Sequence, residues 1–538
     1  MAVGAVGSVG IVSSAAPSTL RPRRGRPVRL SVLAARAGAR LELPELGSGD
    51  PGTGGADPDV HGITLDSRLV VPGDLYVGLP GRHQHGATFA PGAAGAGAVA
   101  VLTDHAGQQV AVGSGLPVLV SDDPRTAMAG AAADVYGRPA EHLTMYGITG
   151  TNGKTTTSFL LDAALRAAGH RTGNVGTVGL LLDGRPLAAT RTTVTTPESP
   201  ELQALLAHLR EQNADSVVME VSSHALVLGR ADAIVFDVAA FTNFGRDHLD
   251  FHGDEESYFA AKAQLFTPER ARRVVLNVDD LRGRVLLDQV RATPEIEVRT
   301  VSLTDPDADY TLRSRRVDPD GSTAVVARAA GHDLGFTVGL AGDFNVRNAL
   351  TALAMVELAG GDVRVAAPGL AAATVPGRME RVLLGPGAPA VVVDFAHTPQ
   401  AVAAALQALA GRRCIAVLGC GGDRDPDKRE LMGAAAAAAA AVVVVTDDNP
   451  RSEDPAAIRA QVLAGARAAA GPGVEVRDGG DRRSAIRTAL ALAGPDDVVA
   501  ILGKGHETGQ QVAGEVLPFA DADVAREVWS ARPTEEVR

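Results

Sequence analysis

A glycine-rich segment with a single lysine could hold the phosphates of a nucleotide. Residues 147–155 read GITGTNGKT and fit the pattern G-x-x-x-x-G-K-[ST], and a helix-favouring run, TTTSFLLDAALRAAG, follows them. In that setting backbone N–H groups would point at phosphate oxygens, Lys154 would reach the outer phosphates, and Thr155 would suit Mg²⁺. The predicted nucleoside triphosphate site comprises Gly150, Thr151, Asn152, Gly153, Lys154, Thr155 and Thr156.

Acidic and histidine side chains follow the next two predicted strands. The apolar run in ADSVVMEVSS reaches Glu220, and FTNFGRDHLDFHG ends the strand after it. Ligands bind at the carboxyl ends of parallel strands, and a carboxylate placed there can hold Mg²⁺. Glu220 could therefore form a second cation site with polar residues of the later loop, which are Asn243, Asp247, His248, Asp250 and His252.

A third candidate site lies on a turn after the valine-rich run AAVVVVT. An arginine on the proline-stiffened turn DDNPR can form a two-pronged pair with a carboxylate. The segments GCGGDR and GKGHE add a further cation, a backbone carbonyl and a carboxylate, and the last two could take an ammonium group. The candidate residues of this site are Arg424, Asp448, Asn449, Pro450, Arg451, Gly503 and Glu507.

The bulk composition favours several α/β domains and excludes some functional classes. A chain of 538 residues is long enough for three domains, and 45% hydrophobic residues with 3% aromatics suit α/β layers. The net charge of −12 argues against a general nucleic-acid binder. Cys414 and Cys420 are too few for a disulfide framework, so reduced thiols in a cytoplasmic protein are expected. No apolar run reaches the roughly twenty residues that a membrane span needs.

Alternating strand and helix patterns predict the domain organisation. We expect a disordered tail over residues 1–40 and a small N-terminal α/β domain over 41–138. A central P-loop domain with a doubly wound, mostly parallel sheet is expected over 139–375, with an antiparallel hairpin around DPDG. Residues 376–538 predict a C-terminal Rossmann-like α/β domain.

The order of several motifs resembles the Mur ligase family, the ATP-dependent amino-acid ligases of peptidoglycan synthesis. GTNGKTT, EVSSHAL, FTN…DHLDFHG and YFAAKAQLF carry the resemblance in the central region. GDFNVRN, PGRMERV, VDFAHTP and GCGGDRDPDKR extend it, so that it covers roughly residues 62–530. The match is closest to the members that add the third residue of the stem peptide.

The resemblance implies a catalytic set of Lys154, Glu220, His248 and Lys262. Lys262 would be carboxylated on its amine to a carbamate (N6-carboxylysine), and with Glu220 and His248 it would hold a second Mg²⁺, while Thr155 serves the first. The further residues expected to meet ATP are Asn345, Arg378, Asp394 and His397. Phe395 stands where the family commonly has tyrosine, and we expect little effect from that change.

The family also implies a nucleotide-sugar peptide substrate, UDP-N-acetylmuramoyl-L-alanyl-D-glutamate. LDSRLVVPGDLYVGLPGRHQHG resembles the uridine-binding stretch of the family, and TTVTTPES adds two threonines. Leu228 stands where a glutamine is often found, which removes one polar contact. The expected contacts are Leu65, Ser67, Arg82, His83, Gln84, Thr195, Thr196, Ser222 and Arg230.

The implied reaction passes through an acyl phosphate. ATP would phosphorylate the D-glutamyl carboxylate, and an amine of meso-2,6-diaminopimelate would displace the phosphate. DNPR favours diaminopimelate because a guanidinium attracts the carboxylate at its far end, whereas L-lysine offers only an ammonium there. The implied partners are ATP, Mg²⁺ and the two substrates, without nucleic acid or a membrane span, and the protein is expected to be a monomer.

Four other functions stay open at this stage. The chain could be a lysine-adding ligase of the same family, or the member that adds D-alanyl-D-alanine. A folylpolyglutamate synthase is a more distant possibility that the uridine-like stretch and DNPR fit poorly. A P-loop ATPase or nucleotide-binding regulator belongs to a different class and would hydrolyse ATP without any amino acid. That reading leaves DNPR, GKGHE and the Lys262 segment without a role.

Overall fold

Mostly parallel β-sheets form the framework of the chain. The computed structural model describes residues 20–23, 25, 27–44, 57–81, 83–187, 195–318 and 321–532. One compact unit comprises the described residues of Met1–Pro139, Pro186–Thr193 and Pro197–Gln212, and the other those of Ala140–Arg185, Val194–Thr196 and Asn213–Arg538. No helix within these described ranges has both the length and the apolar character that a membrane span requires.

The first unit contains a sheet with helices on both faces. Its elements are β1 (Val28–Arg29), α1 (Leu30–Ala37), β2 (Arg40–Glu42), β3 (Asp59–Val60), β4 (Gly62–Thr64), β5 (Asp74–Gly78), α2 (Ala90–Gly95), β6 (Ala100–Thr103), α3 (His105–Ala111), β7 (Val118–Val120) and α4 (Pro124–Val135). The sheet order is β2-β7-β6-β5-β4, with β4 to β7 parallel. Alternate residues of β5 face opposite cores: Leu75 and Val77 pack with α1 and α4, and Tyr76 packs with α2 and α3.

The expectation of a disordered tail over residues 1–40 is wrong for its described part. Helix α1 buries Leu30 and Leu33 completely, and Ala34 is 5% exposed. These residues are spaced i, i+3 and i+4, so they form one apolar face, which packs with Val60 and Ile63. Residues 1–19, 24 and 26 lie outside the described residues.

The second unit begins with a large sheet whose middle strands are parallel. The elements of this part of the chain are β8 (Thr144–Thr149), α5 (Lys154–Ala167), β9 (Thr172–Gly176), β10 (Gly179–Leu182), β11 (Arg185–Pro186), α6 (Ser199–Glu211), β12 (Ser216–Glu220), α7 (Ser223–Val227), β13 (Val238–Phe241), α8 (Leu249–His252), α9 (Glu255–Ala263), β14 (Arg273–Asn277), α10 (Leu281–Arg291), β15 (Glu297–Ser302), β16 (Tyr310–Val317), β17 (Thr323–Ala329), β18 (His332–Val338), α11 (Asp343–Leu358) and α12 (Val363–Ala366). By its contacts α6 belongs to the first unit.

The strand order of this sheet is β11-β10-β9-β12-β8-β13-β14-β15-β16-β17-β18. In this order, every neighbouring pair from β9 through β16 is parallel. Strand β10 pairs antiparallel with β9. The predicted hairpin around DPDG is confirmed, because β16 and β17 pair antiparallel. Helices α5 and α11 cover one face, where Ile148 and Val218 are fully buried.

A third sheet carries the C-terminal part of the second unit. Its elements are β19 (Glu380–Val382), β20 (Ala390–Asp394), α13 (Pro399–Gln407), β21 (Cys414–Leu418), α14 (Lys428–Ala437), β22 (Val442–Thr446), α15 (Pro455–Ala469), β23 (Glu475–Gly480), α16 (Arg482–Leu492), β24 (Val498–Leu502), β25 (Gly509–Val512), β26 (Glu515–Pro518) and α17 (Asp521–Ser530). The order is β19-β20-β24-β21-β22-β23. Val443 and Val445 face α13 to α15, whereas Val442 and Val444 face α16 and α17, so the sheet is covered on both sides.

A fully buried ion pair joins α16 to α17. Arg482 Nε and Nη2 each donate to an oxygen of Asp521 at 2.7 Å, and Nη2 also donates to the Leu502 carbonyl at 3.0 Å. Neither side chain is exposed to solvent. Removing one partner would leave the other charge buried without compensation.

We therefore predict that Arg482→Met lowers the free energy of unfolding of this region by about 3–5 kcal/mol. The single tryptophan, Trp529, lies in α17, so its fluorescence during urea unfolding measures this region directly. The matched control is the next residue, since Arg483 pairs with Glu527 at an exposed position, and Arg483→Met should cost less than about 1 kcal/mol. Equal midpoints for the two variants would contradict the prediction.

Candidate active site

The glycine-rich segment forms a loop between β8 and α5. Gly150 has φ +149°, and a Cβ there would lie 1.9 Å from Thr242 Oγ1, so a side chain has no room. Gly153 has φ +86° and precedes the first residue of α5, which is Lys154. The loop therefore presents the N-terminus of a 14-residue helix, where N–H groups and the helix dipole favour an anion.

The predicted acidic residue, Glu220, ends β12 beside this loop. It is 1% exposed, and its Oε2 accepts hydrogen bonds from Thr155 Oγ1 at 2.9 Å and Thr177 Oγ1 at 3.0 Å. Its Oε1 accepts from the Thr177 backbone N–H at 2.8 Å. The parallel pairing of β12 with β8 places this carboxylate next to the P-loop.

Lys262 lies on α9 and reaches the same loop from another direction. It is 1% exposed, and its Nζ donates to the Gly150 carbonyl at 2.9 Å and lies 4.3 Å from the centre of the Tyr258 ring. Burial first, and then the charge of Lys154, lower the pKa of Lys262 well below its ordinary value. The lowered pKa makes the neutral amine easier to reach than in a solvated lysine, and burial excludes the solvated alternative.

Three histidines lie near Lys262: His224 follows β12, and His248 and His252 follow β13. The rings of His224 and His248 lie 4.8 Å apart, and those of His224 and His252 lie 5.4 Å apart. Burial is the largest cause that lowers the pKa of His248 to about 4, so its imidazole is neutral near pH 7. Asp247 lies 3.5 Å from His248 Nε2 and 3.8 Å from His397 Nε2. Burial alone would raise the pKa of Asp247, but its histidine neighbours outweigh burial and lower it.

A cavity of about 310 Å³ opens beside the P-loop. Of the predicted nucleotide-binding residues, those that line it are Asn152, Gly153, Thr156, Arg378 and Asp394. Asn345 does not line it: its side chain is buried and bonds the Ala341 carbonyl and Asn348, and it is Asn348 that faces the cavity. Arg378 donates to Thr155 Oγ1 at 3.4 Å and stacks on Phe395 at 4.4 Å.

The DNPR turn follows β22 and is held by the β25–β26 hairpin. Arg451 exchanges backbone hydrogen bonds with Gln511 and Ala513, and its φ of +53° is left-handed. Its guanidinium donates to the Gly422 carbonyl at 2.6 Å and to Gln511 Oε1 at 3.1 Å. Burial, followed by repulsion from Arg424, lowers the pKa of Arg451, so both cations would gain from a ligand carboxylate.

The carboxylate of the third candidate site lies against the same turn. Asn449 Nδ2 donates to Glu507 Oε2 at 2.8 Å, which joins DNPR to GKGHE. The Asp448 carboxylate lies close to Gly503, the residue after β24. A Cβ on Gly503 would lie 2.6 Å from Asp448 Oδ2. The structure thus brings the predicted Asp448, Asn449, Arg451, Gly503 and Glu507 together.

The residues predicted to bind the nucleotide-sugar peptide lie in both units. Thr196, Ser222 and Arg230 form one group: the Ser222 backbone N–H donates to Thr196 Oγ1 at 3.1 Å, and Arg230 donates to the Thr196 carbonyl at 3.3 Å. Thr195 accepts from Thr177 at 3.2 Å. In the first unit Leu65 and Ser67 are half-buried, and His83 and Gln84 are exposed. Arg82 lies outside the described residues.

The donor set near the P-loop fits Mg²⁺, which prefers oxygen ligands. Thr155 and Glu220 offer a hydroxyl and a carboxylate whose oxygens lie 2.9 Å apart. At the second predicted site, Glu220 and His248 need a further ligand, since no group of three His, Cys, Asp or Glu side chains able to hold a metal occurs in the part of the chain that the structure describes. A carbamate on Lys262 would supply the missing oxygens.

Sequence analysis missed some residues of the site that spacing could have indicated. Tyr258 lies four residues before Lys262 on α9, so the two share one helix face. Asn348 lies three residues after Asn345 on α11 and faces the cavity in its place. Lys504 is fully buried against Asn449 and Glu507, and only its place within GKGHE pointed to it.

Comparison with known families covers most of the chain. Residues 59–136 match the Mur ligase family catalytic domain, residues 148–356 match the Mur ligase middle domain, and residues 377–505 match the Mur ligase glutamate ligase domain. Three Mur ligase domains therefore account for the α/β architecture.

Full-length relatives agree with these matches. The UDP-N-acetylmuramoyl-L-alanyl-D-glutamate–2,6-diaminopimelate ligase of Streptomyces coelicolor is 49% identical over 94% of this chain and 98% of its own length. The protein of the same name from Streptomyces avermitilis is 47% identical over 95% of this chain and 98% of its own length. A solved structure with that name aligns with a TM-score of 0.64 and 30% identity over 94% of this chain and 99% of its own. The chain belongs to the Mur ligase family.

Proposed function

We propose that this protein is an ATP-dependent ligase that joins meso-2,6-diaminopimelate to UDP-N-acetylmuramoyl-L-alanyl-D-glutamate in peptidoglycan synthesis. The observation that carries the choice of amino acid is that Arg451 and Glu507 lie on two turns joined by the hydrogen bond from Asn449 to Glu507, near enough for the charge of Glu507 to act on Arg451. A guanidinium and a carboxylate held this way complement a far end that bears both a carboxylate and an ammonium. The name of the closely similar Streptomyces relatives supports this choice.

In the first step the D-glutamyl carboxylate attacks the γ-phosphorus of ATP, and the bond to ADP breaks. Such a transfer needs positioning and charge neutralisation more than side-chain chemistry. The P-loop N–H groups and Lys154 would hold the phosphates, with the adenine side of the nucleotide in the cavity beside Asn348 and Arg378. Thr155 and Glu220 would hold Mg²⁺, which supplies positive charge to the transferring phosphoryl group.

We further propose that Lys262 works as a carbamate. The neutral form of the amine bonds the carbon of CO₂ and releases one proton to solvent, which gives an anionic carbamate, and the lowered pKa of Lys262 makes that neutral form more accessible. The product replaces a cation beside Lys154 with an anionic oxygen pair, which relieves the repulsion between the two side chains. With Glu220 and the neutral His248 it completes a set of oxygen and nitrogen ligands for the second Mg²⁺.

In the second step an amine of diaminopimelate attacks the acyl-phosphate carbon. A tetrahedral intermediate forms, the carbon–oxygen bond to phosphate breaks, and the nitrogen loses a proton. Arg451 and Arg424 would bind the far carboxylate, while Glu507 and the Gly503 carbonyl take the far ammonium. Charge complementarity does not fix stereochemistry, so the meso isomer rests on the resemblance of the DNPR motif to that of the family's meso-diaminopimelate enzymes.

The remaining assignments are proposals of the same kind. Residues predicted to bind the nucleotide-sugar peptide keep that role in the proposed function, as do Asp394 and His397 for ATP and Asp448, Asn449 and Pro450 for diaminopimelate. Asn345 would act on ATP only through its hydrogen bond with Asn348. We also propose a cytoplasmic monomer, and domain boundaries near residues 138 and 375.

A phosphate-release assay tests the reaction. Purified protein with ATP, Mg²⁺ and UDP-N-acetylmuramoyl-L-alanyl-D-glutamate should release phosphate when meso-diaminopimelate is added, because acyl phosphate turns over only when an amine displaces it. L-Lysine, D-alanyl-D-alanine and no amino acid are the comparison arms. Equal phosphate release in all four arms would contradict a ligase and favour an ATPase. Release with L-lysine alone would show that the protein adds lysine and not diaminopimelate.

Lys262→Ala tests the carbamate. We expect activity to fall by about 100-fold or more, since an electrostatic group at the transferring phosphate is lost. A short carboxylic acid such as acetate or propionate, added to the assay, should restore part of it by filling the space with an oxygen pair. Lys154→Ala is the control, because an added acid cannot replace a lost ammonium. Failure of every acid to restore Lys262→Ala would count against the carbamate.

Arg451→Lys tests the choice of amino acid. Lysine keeps the charge but loses the planar fork, so KM for diaminopimelate should rise by about tenfold or more, with KM for ATP changed less than about twofold. The control is Arg477→Lys, which alters an exposed arginine paired with Glu475. A parallel rise of both constants in Arg451→Lys would show that the turn does not select the amino acid.

A further inference from the structure

Lys504 is a fully buried lysine at the centre of the DNPR and GKGHE contacts. It has 0% of its surface exposed. Its Nζ donates to Glu507 Oε2 at 2.8 Å, to the Gly509 carbonyl at 2.6 Å and to Asn449 Oδ1 at 3.2 Å. An ammonium group has three N–H donors, so each donor of Lys504 has an acceptor. These acceptors belong to the turn after β22, the turn after β24 and the start of β25.

The ammonium fixes which way the Asn449 amide points. Lys504 Nζ can only donate, so the Asn449 atom facing it must be the oxygen. The backbone N–H of Gln511 donates to the same oxygen at 2.9 Å. The amide nitrogen is therefore directed at Glu507 Oε2, 2.8 Å away. Without Lys504 the amide would lose one of the two donors that set its orientation.

Glu507 is held by one oxygen and left open at the other. Lys504 and Asn449 both donate to Oε2, and among the described residues no hydrogen bond to Oε1 is found. The Glu507 side chain is 34% exposed, whereas that of Lys504 is 0% exposed. The buried ammonium thus holds Oε2 of the Glu507 carboxylate in place, and Oε1 is left to accept a hydrogen bond from a ligand.

The use of lysine at this position is unusual for this chain. Only four of its 51 Lys and Arg residues are lysines: Lys154, Lys262, Lys428 and Lys504. Two of them, Lys154 and Lys262, belong to the proposed phosphate and carbamate chemistry. A planar guanidinium could not place three donors at the corners of a tetrahedron in a closed space, whereas a compact ammonium can.

We propose that Lys504 is a positioning residue for the amino-acid substrate, which orients Asn449 and fixes Glu507 so that Oε1 accepts the ammonium at the far end of the diamino acid. The inference rests on the proposed function and extends it, because Lys504 contacts no substrate itself. It predicts that loss of Lys504 weakens recognition of the amino acid and leaves ATP recognition intact.

Steady-state kinetics of Lys504→Met test the proposal. Methionine fills the space with a flexible, uncharged chain. KM for diaminopimelate should rise by about tenfold or more, because Glu507 loses the anchor of its binding geometry. KM for ATP and for the nucleotide-sugar peptide should change less than about twofold, and kcat less than about fivefold. Arg526→Met, which removes an exposed cation paired with Asp523, is the control and should match the wild type.

A double-mutant cycle separates positioning from general support of the fold. If Lys504 acts through Glu507, the variant Lys504→Met/Glu507→Gln should have nearly the same KM for diaminopimelate as Glu507→Gln alone. If the effects of the two substitutions on KM for diaminopimelate multiply in the double variant, the proposal is overturned. Equal rises of KM for all three substrates in Lys504→Met would also overturn it. Trp529 fluorescence checks folding, and if Lys504→Met is not native, Lys504→Gln replaces it with the same expected difference between substrates.

The assay of the wild-type protein distinguishes failure of the proposed function from failure of the role proposed for Lys504. Wild-type protein without diaminopimelate-dependent phosphate release would sink the proposed function itself. Wild-type protein that uses diaminopimelate, together with a Lys504→Met variant of unchanged KM, would sink only the role of Lys504.

Discussion

Buried cations that lie close together determine the electrostatics of the P-loop site. Lys154 is the first residue of α5, Lys262 lies on α9, and Arg378 lies on the turn before β19; burial is the first cause that lowers the pKa of each. Repulsion adds to burial, since Arg378 acts on Lys154 and Lys154 acts on Lys262. Glu220 and Asp247 offset part of this charge. A triphosphate, or a carbamate in place of the Lys262 ammonium, would offset more, so this site favours anions before any ligand-specific contact is made.

The C-terminal part of the chain that carries the DNPR turn treats buried charge in the opposite way. Arg482 is paired with Asp521 and Lys504 with Glu507, and both cations are completely buried. Nearly all of their N–H groups already donate to acceptors within the protein. These cations therefore fix the geometry of the turns and do not need an anionic ligand. One unit of the chain therefore combines an electrostatically incomplete site at the P-loop with a pre-organised site at the DNPR turn, which the proposed function assigns to ATP and to the diamino acid.

Strand topology connects these two sites to the sheets. The P-loop, Glu220 and Asn243 follow β8, β12 and β13, and the DNPR and GKGHE turns follow β22 and β24, always at the carboxyl end. Apolar runs such as VVVVT are predictable as strands because both faces of each sheet are covered by helices, which demands apolar residues at every position. Helix α1 was missed because Leu30 and Leu33 are apolar residues in an arginine-rich neighbourhood, and their burial depends on Val60 and Ile63, which lie about 30 positions later.

The sequence alone determined the motifs, the α/β class and the family, because phosphate cradles, DNPR and apolar strand runs are local patterns of residue type and spacing. Only the tertiary structure decided which of those residues share an environment. It turned Lys262 from a helix residue that could be solvated into a buried amine, showed that Asn348 and not Asn345 faces the cavity, and brought Lys504 against Asn449, which lies 55 residues earlier in the chain. Burial and the distance between charges arise from packing between distant segments, and no local spacing encodes them.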